Sequence, residues 1–212
     1  MKINVEVEIN SESIKSFKSL IPQLKDKPNS GDHLGQLSFF GITGSTFRAY
    51  QNKKRPPSEV YREWARTTLN GVVETTDAEK YKNKDEFENW SLGLLRSLDS
   101  YWSEQQEEEL KPAHLYKMRD LFLRFLCMHK SCPETLARSI LQYGNSPLDS
   151  QSLAKLNECL KFSLPMENPS MKSVTNENSY NFCQQIIEAI AKKAGGSKLM
   201  FDFWAYKKGG DK

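Results

Sequence analysis

Between Thr43 and Arg55 the chain gathers groups that can hydrogen-bond both to a polyanion and to the edges of stacked bases. They are Thr43, Gly44, Ser45, Thr46, Arg48 and Ala49, followed by Lys53, Lys54 and Arg55. Hydroxyls and a guanidinium donate to base edges in a groove, small residues permit close approach, and lysine and arginine hold phosphate oxygens. Arg48 is the natural guanine partner in such a set, because its fork matches the two acceptors on that base. The chemistry requires one exposed helix face, and the spacing predicts a helix over 43–51. Gly41 suits the turn before it and Thr43 suits its N-cap. Phe47 and Tyr50 supply a buried face, with Ile42 ahead of the cap, and Pro56-Pro57-Ser58 stops the segment and opens the next helix.

The run Phe40-Gly41-Ile42-Thr43-Gly44-Ser45-Thr46-Phe47, then Asn52-Lys53-Lys54-Arg55 and Pro57-Ser58, resembles the lambda-repressor/Cro-like helix-turn-helix DNA-binding domains. The resemblance covers residues 32–70, with Lys53 standing where that family usually has glycine. It implies a sequence-specific double-stranded DNA-binding protein, a repressor-like regulator of transcription reading the major groove with residues 43–51. Ser45, Thr46 and Arg48 would then face bases, Ala49 would make an apolar contact, and Gly44, Lys53, Lys54 and Arg55 would lie near phosphate. A homodimer is expected with it, since one recognition helix reads too few base pairs for specificity. The competing expectation is a helical protein-interaction module, accessory or inhibitory, without DNA binding. Its contact surface would be the acidic end at 104–109 or the aromatic C-terminus.

Other chemistry-bearing residues point to less. Cys127, His129 and Cys132 lie close in sequence, but residues 127 and 129 fall on different helix faces, so buried thiols are expected rather than a metal site. Gly195-Gly196-Ser197-Lys198 lacks the spacing of a phosphate loop. The carboxylates of EQQEEE read as a solvated helix end, His114 as a first-turn surface residue, and no catalytic constellation or cofactor motif emerges.

The 212 residues suit one moderate domain or two small ones, and the division expected is 1–75 for the helix-turn-helix domain and 76–212 for a helical dimerisation or partner-binding domain. Hydrophobic residues make up 38% and charged residues 27%, which excludes a disordered chain. No run reaches the length of a membrane span, and the N-terminal MKINVEVEIN has no apolar signal core. With four cysteines in no disulfide spacing, a cytoplasmic setting is expected. Charge is uneven: residues 40–70 hold six bases against two acids, 77–110 hold four against ten, and 111–212 hold fifteen against nine. A basic segment ahead of an acidic one suggests an anionic partner for the first.

The fold expected is mainly α with one short N-terminal β-strand. Ile3, Val5, Val7 and Ile9 alternate with polar residues, a strand pattern over 2–9. Apolar residues at helical spacing predict helices over 11–24, 58–69, 85–110, 112–130, 150–162 and 179–194, with further short ones over 32–40 and from Pro133 to near Gly144. Asn70-Gly71 should end the helix at 69, Asp149 should cap another, and 72–84 reads as a linker or a short turn of helix. The last apolar segment, KLMFDFWAYKK, fits either strand or helix.

Overall fold

The computed structural model describes residues 8–31, 40, 42, 46–47, 50, 53–74, 77–161, 164 and 170–206. Among them the chain is mainly α. The helices are α1 (Ser11–Leu24), α2 (Pro57–Glu74), α3 (Lys84–Gln106), α4 (Pro112–Met128), α5 (Glu134–Tyr143), α6 (Ser150–Cys159), α7 (Glu177–Ala194) and α8 (Lys198–Ala205). No strand occurs among the described residues. The strand expected over 2–9 lies outside them apart from Glu8 and Ile9, which are irregular.

Side-chain caps set most of the helix starts. Asn83 accepts from the N–H groups of Asp85 and Glu86 at the head of α3. Asp149 and Ser152 form a capping box on α6, and Asn176 and Ser179 form one on α7. Each such cap satisfies N–H groups that the helix itself leaves without partners. Gly195, at φ +82°, closes α7 in the left-handed conformation that glycine adopts without strain. The next residue, Gly196, lies so close to α1 that a Cβ there would sit 2.5 Å from Ile21 Cδ1.

One expectation about the elements changes, and two open ones are decided. Helix α2 continues through Asn70-Gly71 to Glu74, because burial of Val72 outweighs the weak helix preference of Gly71. Residues 78–82 form a 3-10 turn that buries Ala78 and Tyr81, so this stretch belongs to the packed body. The final apolar segment is a helix, α8, capped by Ser197.

One hydrophobic core runs from α1 to α8. Phe17 on α1 is fully buried, stacked on Trp204 at 4.9 Å and edge-on to Phe201 at 6.0 Å. Helix α1 thus rests on α7 and α8, while α2 packs on α3, α3 on α4, and α4 on α5. The loop after α1 also docks onto α4: Asn29 Nδ2 donates to the carbonyls of His129 and Cys132, and Gly31 N–H to Met128. Among the described residues no helix is long and apolar enough to cross a membrane.

Candidate functional site

The described residues of the segment 40–58 pack mainly against α3 and α4: Phe40 meets Phe125, and Phe47 and Tyr50 meet Trp102. Of the residues expected to contact DNA, Thr43, Gly44, Ser45, Arg48 and Ala49 lie outside the described residues. Thr46 is described and buried. At the described positions of the expected 43–51 helix, Thr46 and Phe47 lie in a turn, closed by Tyr50 N–H donating to the Phe47 carbonyl, and Tyr50 is irregular. The apolar side chains explain this path. Phe47 stacks on the buried Trp102 at 6.0 Å, Tyr50 meets the same ring edge-on at 5.3 Å, and Ile42 is also buried. These contacts bring Phe47 and Tyr50 into the core at α3. Tyr50 also packs edge-on against His114 at 4.8 Å, and burial pushes that imidazole down to about 4, so it stays neutral near pH 7.

Lys53 and Lys54 meet the acidic residues that follow α3, and Arg55 meets Glu63 of α2. Lys53 Nζ lies 2.6 Å from Glu108, Lys54 Nζ 2.5 Å from Glu107, and Arg55 2.7 Å from Glu63. Arg55 also donates to Gln105, and Gln106 brackets its backbone, donating to the Arg55 carbonyl and accepting from its N–H. Hydrogen bonds from Lys54 lower Glu107, and those from Arg55 and Tyr101 lower Glu63. The pairs are partly or largely exposed and contribute little to stability. They nonetheless occupy the cations that a phosphate backbone would need.

A second feature is a polar cleft of about 370 Å3 between α3, α7 and the start of α8. Phe87 and Leu92 of α3 form its apolar side, Glu177, Asn181, Gln185 and Glu188 of α7 face it, and Lys198 of α8 closes it. Its floor is Arg119 of α4. That guanidinium is buried, with Nε 2.9 Å from Asp120 Oδ1 and Nη2 2.9 Å from the Tyr180 hydroxyl. Tyr180 donates in turn to Asp120 Oδ2 at 2.6 Å and stacks on Tyr116 at 4.2 Å. Burial raises the Asp120 carboxyl, and Arg119 pulls it back; the Arg119 guanidinium stays charged with Asp120 as its counter-ion. Burial lowers the Lys198 amine, opposed first by Glu188. Lys198 makes no ion pair among the described residues, and Gln185 Oε1 is buried without a hydrogen-bond partner there.

One turn along α8 from Lys198 stands Asp202, fully buried. Arg124 Nε approaches its Oδ2 at 3.0 Å, but off the hydrogen-bonding direction, so neither carboxyl oxygen accepts a hydrogen bond among the described residues. The Arg124 guanidinium lies instead over the rings of Tyr206 and Phe203, at 4.6 and 5.3 Å. Burial pushes the Asp202 carboxyl up to about 7, against the pull of Arg124.

None of these four charged residues stood out by spacing. Their signal is a charge inside an apolar helical run: Arg119, Asp120 and Arg124 interrupt MRDLFLRFLCM, and Asp202 interrupts KLMFDFWA. The four cysteines are buried free thiols, and burial holds Cys132 near 12 and Cys159 and Cys183 near 11. No group of three or more metal-ligating side chains is assembled among the described residues. No protein-family model matches the chain, and neither a curated protein nor a solved structure matches it, so its site stands on its own geometry.

Proposed function

We propose that the protein is a helical binding module that takes a small polar ligand in the cleft between α3, α7 and α8. One observation carries this reading: Lys198 lines that cleft with no carboxylate at ion-pair distance among the described residues, although Glu188 acts on it from the same cleft. A mostly buried ammonium whose carboxylate neighbours stop short of ion-pair distance is costly, and such arrangements concentrate at sites where a ligand completes the pairing. The floor supports it, because Arg119, Asp120 and Tyr180 are locked by mutual hydrogen bonds and hold their positions before anything binds.

Duplex DNA is the competing partner, offered by the resemblance of residues 32–70. That reading requires Lys53, Lys54 and Arg55 to exchange Glu108, Glu107 and Glu63 for phosphates. Equilibrium dialysis of the full chain against the small-molecule fraction of a cell extract, read by mass spectrometry, separates the two. Wild type should retain a compound that Lys198→Met does not. Equal retention by both proteins, or none, refutes the cleft reading. Tight binding of duplex DNA at low salt, weakened by Lys54→Ala and Arg55→Ala, would put the regulator in its place.

A further inference from the structure

The charges lining the cleft are balanced in a way that describes their ligand. Glu88 is paired with Lys84 at 3.5 Å, and Glu188 with Lys192 at 2.8 Å. Arg119 is paired with Asp120 at 2.7 Å. Two lining charges remain without an ion pair among the described residues, one of each sign: Glu177, and Lys198, which feels Glu188, Asp120 and Glu88 from beyond ion-pair distance. They sit at the starts of different helices, α8 and α7, on the walls of one cavity. A simple anion would satisfy Lys198 and be repelled by Glu177, and a simple cation the reverse. A molecule carrying one charge of each sign satisfies both. Leu92, which also lines the cleft, is 40% exposed, one of two large apolar side chains so exposed among the described residues, and the buried Phe87 lines it too. An apolar group laid against Leu92 would remove that surface from water.

The geometry points to a zwitterionic α-amino acid with an apolar side chain as the ligand of this cleft. This rests on the cleft being the binding site. The carboxylate lies on Lys198, the ammonium on Glu177, and the side chain on Leu92 and Phe87. The cavity of about 370 Å3 lies within the range of small-ligand sites and admits such a molecule whole.

The test is calorimetric titration of the full chain with L-leucine and L-phenylalanine. Two analogues each lack one charge: 4-methylpentanoate has no ammonium, and 3-methylbutylamine has no carboxylate. At least one amino acid should bind, and its single-charge analogues should bind about tenfold weaker or worse, the equivalent of one lost charged contact. Lys198→Met should erase the preference for the amino acid over the amine, and Glu177→Gln the preference over the carboxylate. Lys193→Met, at an exposed lysine outside the cleft, should change neither. Lys198→Met removes a mostly buried unpaired charge, so the variant is expected to fold. Binding by neither amino acid, or binding that Lys198→Met and Glu177→Gln leave intact, overturns the assignment. If 4-methylpentanoate binds as well as leucine and depends on Lys198, the zwitterion is wrong and the cleft remains the site. If the dialysis retains a Lys198-dependent compound while both amino acids fail to bind, the amino acid is again wrong and the cleft again remains the site.

Discussion

Replacing Asp202 by asparagine should make the protein less sensitive to alkaline pH. The carboxyl is fully buried, accepts no hydrogen bond among the described residues, and meets Arg124 at 3.0 Å without hydrogen-bond alignment. Its ionised form is therefore poorly supported, and burial raises it to about 7. In the unfolded chain an aspartate titrates near ~4. A group raised on folding contributes stability that is complete below the unfolded value and is lost as pH rises through the folded one. Here the loss runs from about pH 4 to about pH 7, some three pH units at ~1.36 kcal/mol each, or about 4 kcal/mol at most. Asparagine has nearly the same shape and stays neutral, so it keeps that contribution at every pH. Urea unfolding followed by far-ultraviolet circular dichroism at pH 4.5 and pH 8 gives the stability of both proteins. The quantity to read is the stability of Asp202→Asn minus that of wild type, which cancels the titration of Glu63, Glu79 and Glu107. It should rise by about 3 kcal/mol between the two pH values. A difference that stays flat or falls would show that ionised Asp202 pairs favourably with Arg124, and the argument from its orphaned oxygens would fail.

Two further substitutions probe the frame around the cleft. Phe17→Ala removes the ring that joins α1 to Trp204 and Phe201, and should cost about 3–5 kcal/mol in urea unfolding; a loss below about 1 kcal/mol would mean that α1 is not part of the common core. Tyr180→Phe takes a hydroxyl from both Asp120 and Arg119 and should cost about 2–4 kcal/mol, with a weakened affinity for whatever the cleft binds; unchanged stability would show that the floor is not held by this network.

Local order was legible wherever it depended on near neighbours in the chain. Helices α3, α4, α5 and α7 follow from apolar residues at helical spacing, and the breaks at Pro112, Pro133, Gly144 and Gly195 follow from missing N–H groups or backbone freedom. The Asp149 cap was visible for the same reason, since it bonds residues two and three positions on. Where local preference competed with burial, burial decided. Gly71 did not end α2, because Val72 had a core to enter, and GITGSTFRAY, read alone as a capped helix, turns at Thr46 and Phe47 so that Phe47 and Tyr50 reach Trp102.

What the sequence by itself determined is a mainly helical chain with four thiols to bury and a basic stretch preceding an acidic one. Tertiary structure alone decided what those charges face. Residues 53–55 meet 105–108 across some fifty positions of chain, and the cleft unites Arg119 of α4, Glu177 of α7 and Lys198 of α8. The physical reason is range. Helix propensity and capping act within four residues and are written in spacing, whereas which charge finds a partner depends on how whole helices pack. That packing is set by undirected apolar burial, and it left Lys198 and Glu177 facing one cavity without an ion pair among the described residues.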